Sequence, residues 1–280
     1  MVIRGRLALV GTLLVVGGLA SGCRYGFDAQ DSTSTDDTTV SQSITEVRLA
    51  DNSGDVTVRA GSGATTTVHR ELHYNGSHKP AATTSISGGV LSLDDCGNNC
   101  SVDYTVTVPA AAKVDGDATS GEVQITGVAS VDVDANSGDV TVGQIAGQVN
   151  VSTTSGGIKV SQAGRDLDAR SNSGDLDING VAGSLTSQSS SGDIVASGLR
   201  GSRSAAHSSS GDVTVEADVA QDVDAESSSG GITITVPEAA YRVVVDTNSG
   251  DKQIGVADNP SGRYTITAKS SSGDLRISTK

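Results

Sequence analysis

The chain has 280 residues, a formal net charge of −14, 35 glycines, four prolines, five tyrosines, one phenylalanine and no tryptophan. A core of ordinary breadth needs large apolar side chains, and these are nearly absent, so helix bundles and doubly wound α/β folds are poorly supported. The apolar content of 35% is carried by Val, Ile, Leu and Ala; β-branched filling with one glycine in eight residues fits a narrow β architecture.

The chain opens with MVIRGRLALVGTLLVVGGLASGC. Arg4 and Arg6 give a basic start, and Leu7 to Ala20 form a mostly apolar run that ends in small residues. A bilayer-spanning helix needs about 20 apolar residues, so residues 1–22 read as an export signal peptide, outside the fold. The sequence Leu19-Ala20-Ser21-Gly22-Cys23 resembles a bacterial lipoprotein lipobox, with Ala20 standing where that family prefers Leu. The resemblance implies lipidation of Cys23, which would become the mature N-terminus on the outer side of the cell membrane.

Loss of residues 1–22 leaves 17 Lys and Arg against 33 Asp and Glu, a net −16. Such a charge repels nucleic acid, which binds through Lys and Arg on its phosphates, and discourages lying flat on anionic lipid. Residues 23–43 are polar and acidic, and their composition reads as a disordered tether of about 20 residues with an r.m.s. span on the order of 25 Å. With Cys23 lipidated, Cys96 and Cys100 in CGNNC remain as a pair. In an exported protein they read as a disulfide; a zinc site would need two further ligands.

From residue 44 the chain is repetitive. Ser-Gly followed by Asp, Glu or Gly places turn glycines at Gly54 and then at Gly121, Gly138, Gly156, Gly174, Gly192, Gly211, Gly230, Gly250 and Gly273. From Gly121 the spacings are 17, 18, 18, 18, 19, 19, 20 and 23. Apolar residues recur two and four positions after each glycine (Val140 and Val142, Leu176 and Ile178, Ile232 and Ile234) and seven before it (Val131, Leu167, Val223). Period-2 alternation on both sides of a turn means two short strands per repeat, each with one face inward. Lys252 and Ser204 break these columns.

A unit of about 18 residues cannot bury its inner face alone; stacked neighbours do so. One strong turn per repeat, with a weaker break at Gly127, Gly147, Gly164, Gly183 and Gly201, favours a parallel β-solenoid over an antiparallel sandwich. The expectation is an all-β rod of 18–20-residue coils, right-handed, on the order of 45–55 Å long at about 4.8 Å per coil. Residues 44–110 carry longer strand-like runs (65–74, 85–93, 101–108) and read as enlarged first coils, with 111–280 the regular repeats. TVTVPAA at 105–111 is echoed by TITVPEAA at 233–240. The last segment, Asp274 to Lys280, is charged, which discourages open-edge pairing at the end of the rod.

VTVPAAAKV at 106–114, the SGDVTV-type coils and the closing SSSGDLRIS at 270–278 together resemble the bacterial putative-adhesin family, β-strand-repeat proteins built on a domain of unknown function. The resemblance covers about residues 44–280. It implies a solenoid at the cell envelope and brings no catalytic residues with it.

Acids follow most turn glycines, and Asp175, Asp193 and Asp212 would stack along one edge. Two readings stand: the carboxylates satisfy backbone groups of the turns, or calcium ions sit between them. His69, Glu71 and His73 alternate along one face of a strand and lack the zinc-protease spacing, so they read as an exposed face; His207 reads as solvated. Serine is too frequent to mark a nucleophile, no Gly-x-Ser-x-Gly elbow is present, and Tyr104, Tyr241 and Tyr264 are scattered. The sequence therefore supports a non-enzymatic, lipid-tethered surface module that binds an envelope protein or glycan without a cofactor. An envelope-stress or assembly accessory is the alternative, and a carbohydrate-active β-helix enzyme a more distant one.

Overall fold

The computed structural model describes residues 31–76, 79–81 and 83–280; the signal segment and Cys23 lie outside the described residues. The first strands are β1 (Asp31–Val40), β2 (Glu46–Asn52), β3 (Val56–Gly61), β4 (Thr66–Asn75), β5 (Thr84–Ser87), β6 (Val90–Asp94) and β7 (Cys100–Pro109). Regular coils follow, each a pair of strands. They are β8 (Lys113–Ala118) with β9 (Val123–Thr126), β10 (Ser130–Ser137) with β11 (Val140–Ile145), and β12 (Val149–Ser155) with β13 (Ile158–Ala163). Next come β14 (Leu167–Ser173) with β15 (Leu176–Val181), β16 (Leu185–Ser189) with β17 (Ile194–Leu199), and β18 (Arg203–Ser208) with β19 (Val213–Ala217). The last are β20 (Asp222–Ser227) with β21 (Ile232–Val236), β22 (Tyr241–Ser249) with β23 (Lys252–Ile254), and β24 (Tyr264–Ser272) with β25 (Leu275–Thr279).

These strands form two sheets, a solenoid flattened around one narrow core. Sheet A has 13 strands in the order β1-β4-β7-β3-β9-β11-β13-β15-β17-β19-β21-β25-β23, and sheet B has 12 in the order β22-β24-β20-β18-β16-β14-β12-β10-β8-β2-β6-β5. From coil to coil the pairing is parallel and in register, as in Leu167↔Leu185 and Leu176↔Ile194. The inner columns read from the sequence are the core: Val140, Val142, Leu176, Ile178, Ile232 and Ile234 are each at most 1% exposed. Each end of the rod buries one tyrosine, Tyr104 at 1% and Tyr241 at 0% exposure.

Space does not follow chain order at the two ends. The coil β6/β7 lies outside β2/β3, and the chain then returns past β2/β3 to place β8/β9 on its other side. At the far end β22/β23 is outermost and β24/β25 inserts behind it. The TVTVPAA/TITVPEAA echo marks both places, since each copy precedes a connection that skips one coil position (β7 to β8, β21 to β22). The last strand is therefore interior, flanked by β21 and β23, and the expectation of a charged C-terminal edge is corrected.

The tether is shorter than its composition suggests. Asp31–Val40 is a strand, paired antiparallel along all ten residues with β4. Thr and Ser tolerate an edge strand well, and the acids find partners on β4: Arg70 Nε donates to Asp36 Oδ2 at 3.2 Å, and His69 Nδ1 lies 2.7 Å from Asp37 Oδ1. Cys96 and Cys100 are joined by a disulfide with Cα atoms 6.0 Å apart.

Both pattern breaks have a structural account. Ser204 is 1% exposed, and its hydroxyl donates to Oε1 of the fully buried Gln221 at 2.8 Å, while Gln221 Nε2 donates to the Leu199 carbonyl at 3.3 Å. Two polar groups satisfy each other where other coils place a single aliphatic one. Lys252 lies on β23, the outermost strand of sheet A, and is exposed.

Tyr104 pins the N-terminal cap. Its hydroxyl lies 2.6 Å from the Thr83 carbonyl and 2.9 Å from the Asp94 carbonyl, and burial pushes the phenol up to about 12. Because the folded-state value stands above the ordinary one of 10.0, this stability is complete below pH 10 and is lost as pH rises towards 12. Tyr104→Phe is expected to cost about 1–2 kcal/mol at neutral pH and to blunt the alkaline loss, as followed by circular dichroism from pH 9 to 12.

A feature missed in the sequence is a column of left-handed residues six positions after the turn glycines: Gly127 (φ 77°), Gln144 (56°), Gln162 (59°), Gly180 (79°) and Gly198 (66°). The ladders skip this residue, pairing Gly143↔Ser161 and then Ile145↔Ala163. A left-handed L-residue costs about 1–2 kcal/mol, partly offset by the entropy a glycine loses. Gln162→Gly should therefore raise the melting temperature slightly. Gly180→Ala, where a Cβ meets only ordinary contacts, should lower it by a comparable amount.

Candidate ligand groove

The turn edge is built on glycine because the coils leave no room for a side chain there. A Cβ on Gly138, Gly156, Gly174, Gly192 or Gly211 would stand 1.9–2.2 Å from the carbonyl oxygen of the glycine one coil back. Close approach, more than dihedral freedom, sets the column: Gly121, Gly138, Gly156 and Gly250 have positive φ, whereas Gly174, Gly192, Gly211, Gly230 and Gly273 do not.

Beside the glycines the acids form rungs between coils. Oδ1 of Asp175 accepts the Asp193 N–H at 2.9 Å, Asp193 accepts that of Asp212 at 2.8 Å, and Asp212 that of Gly231 at 2.7 Å. Asp139, Asp55 and Asp274 do the same for Gly157, Glu122 and Asp251. Asp103 on β7, which the turn pattern does not contain, continues the row by accepting the Asp55 N–H at 2.8 Å. One oxygen of each carboxylate is thus committed to turn chemistry. Among the described residues no three His, Cys, Asp or Glu side chains gather as a metal site.

On the sheet B side of the turns, the residue three before each glycine points inward and is small. The hydroxyls of Ser171, Ser189, Ser208, Ser227 and Ser270 donate to the carbonyls of Gly156, Gly174, Gly192, Gly211 and Gly230 at 2.8–3.1 Å. These side chains are 5–6% exposed, and they floor a groove between the outward columns on either side. One wall carries Arg170, Gln188, His207, Glu226 and Lys269; the other carries Asn172, Ser190, Ser209, Ser228 and Asn248. The cavity is about 700 Å³ and crosses every coil from β12 to β22.

The groove carries both signs of charge: Arg170 and Lys269 on one wall, Glu226 and Asp246 among its acids. Arg170 Nη2 donates to Asp168 at 2.6 Å, and Lys269 Nζ to Glu226 Oε1 at 2.7 Å. Lys269 holds the Glu226 carboxyl below the usual range, and its own ammonium is raised in turn. The Glu226–Lys269 pair is therefore intact at neutral pH and is lost as pH falls through the lowered Glu226 value. Two polar atoms on the groove lack hydrogen-bond partners: Oγ1 of Thr153, a residue 5% exposed, and Nε2 of His207, which lies 3.8 Å from Asp224. His207, read from the sequence as solvated, is half-buried in the groove wall.

The remaining sequence candidates lie elsewhere. His69 and His73 are on β4 in the N-terminal cap, His73 Nε2 being 3.3 Å from Asp103. Tyr241 and Tyr264 pack at the far end with ring centroids 6.0 Å apart and planes tilted by 45°, and no tyrosine lines the groove. The groove was not legible in the sequence, because it depends on which residues face outward at the bend into the turn.

The chain is similar to several solved structures. A putative adhesin from Bacteroides fragilis is 15% identical with a TM-score of 0.45, over 91% of this chain and all of that one. A putative adhesin from Parabacteroides distasonis is 14% identical with a TM-score of 0.38, over 88% and 97%. A putative cell adhesion protein from Clostridium sporogenes is 11% identical with a TM-score of 0.28, over 89% and 100%. At such identities and scores the likeness carries no functional information. No curated protein matches the sequence. The Toastrack DUF4097 family model matches residues 41–181 and, a second time, residues 164–280. Those two matches take in the cap and all the regular coils, and the chain belongs to the Toastrack DUF4097 family.

Proposed function

We propose that the protein is a non-enzymatic surface module, exported and held at the outer face of the cell membrane by lipid on Cys23, and that it binds an envelope component along the flank of the rod. The observation that carries this reading is the groove: a polar channel, repeated coil by coil, along the flank of the rod. Of the two acids that line the groove, Glu226 is engaged by Lys269, which suits recognition rather than acid–base chemistry. With Asp31–Val40 taken into sheet A, only residues 24–30 separate Cys23 from the body, an extended reach of about 25 Å. The N-terminal cap therefore stands near the bilayer, and the groove coils stand away from it.

Two experiments test the reading. Metabolic labelling with a palmitate analogue, followed by membrane fractionation, should show label and membrane retention in the native chain and neither in Cys23→Ala; a labelled or membrane-held variant contradicts the anchor. Retention of the purified full chain on isolated envelope fractions tests the binding, and absence from every fraction contradicts it. No cofactor belongs to this reading. Calcium titration should leave the melting temperature unchanged, whereas a rise of several degrees would assign metal to Asp175, Asp193 and Asp212.

A further inference from the structure

We infer that the groove takes an extended, uncharged glycan lying along the rod axis, about one sugar unit per coil; the inference rests on the surface-binding reading above. Coils are spaced by the strand separation of about 4.8 Å. That is close to the length of one sugar unit in an extended β-1,4-linked chain; alternate units are turned over, so the same face of the chain returns every second coil, about 9.6 Å, and stays in step with the rod. An extended peptide presents equivalent groups only every second residue, about 6.6–6.8 Å, and falls out of step with the coils.

The lining suits sugar hydroxyls. Ser190, Ser209, Ser228, Asn172, Asn248 and Gln188 offer groups that both donate and accept, which a chain of hydroxyls and acetamido groups requires. Both cations are paired, Arg170 with Asp168 and Lys269 with Glu226, and Asp246 also lines the groove, so no unpaired cation is offered to an anionic polymer, and the acidic body repels one. Without an aromatic platform, each sugar contributes modestly, and affinity must accumulate along the chain.

The test is a chain-length series. The full chain in detergent is titrated calorimetrically with β-1,4-linked N-acetylglucosamine oligomers and with cello-oligosaccharides of increasing length. For at least one series the expected Kd falls with each added unit and levels near the seven coils that line the groove, β12 to β22. Ser209→Arg, at an exposed wall position, should weaken the longest oligomer by about ten-fold or more while leaving the melting temperature unchanged. No binding in either series, an affinity independent of length, or native affinity in the variant would each overturn the inference. Capture of an envelope protein by the native chain but not by Ser209→Arg, with no oligosaccharide bound, would overturn the glycan alone and leave surface binding standing.

Discussion

Gly174→Ala is expected to destabilise the rod by about 3 kcal/mol, a fall in melting temperature on the order of 5–10 °C for a domain of this size. The added Cβ would lie 1.9 Å from the Gly156 carbonyl oxygen and 2.5 Å from its carbon. Backbone lies on the other side of the contact, so no side chain can swing away, and one coil must lift from its neighbour. Parallel pairing on both sheets locks that spacing, and the strain spreads into rungs such as Asp175 to Asp193. Gly63 is the control: it is exposed, it is not left-handed, and a methyl group added there would meet nothing within 4 Å. Gly63→Ala should fall within about 0.5 kcal/mol of the native chain. Equal effects at the two sites would mean that the glycine column is not a contact column.

Lys252→Ile is expected to make the protein self-associate through its far end. Lys252 stands two residues after its turn glycine, the position held by Val140, Ile158, Leu176 and Ile194 in other coils, and it pairs in register with the buried Leu275. A charge at that position on an outermost strand is a known way of preventing sheets from joining edge to edge. Isoleucine would complete an apolar strip with Ile254, which is already 39% exposed. Light scattering after size exclusion should show a concentration-dependent increase in mass for Lys252→Ile relative to the native chain, and none for Lys252→Glu. A native-like mass for the isoleucine variant would mean that the charge at position 252 is not what keeps this edge from pairing.

Much of the architecture was legible in the sequence. The columns two and four after each glycine and seven before it are the core, because period-2 alternation with a fixed repeat leaves each strand only one face to bury. Coil order was not legible: a repeat says that coils stack, not which neighbour each one takes. The VPAA and VPEAA segments mark the two skipped positions only after the topology is known. The strand Asp31–Val40 was hidden for a related reason. Its acids look like those of a disordered tail until they meet Arg70 and His69, more than thirty residues away.

The polar features followed the same division. The Asp after each turn glycine bonds the backbone of the neighbouring coil through one carboxylate oxygen, the backbone role that the sequence offered beside calcium. Gln144 and Gln162 look ordinary in sequence, and only their alignment with Gly127, Gly180 and Gly198 marks the left-handed column. Ser204 was an anomaly until Gln221 appeared beside it.

The most direct test of the account places one arginine on each flank of the rod and measures retention on isolated envelope fractions. Ser209→Arg intrudes on the groove, whereas Thr214→Arg sits on the outward face of sheet A. With melting temperatures matched, the account predicts that Ser209→Arg loses retention and Thr214→Arg keeps it. Retention by both variants, or loss confined to Thr214→Arg, would contradict the assignment of binding to the groove.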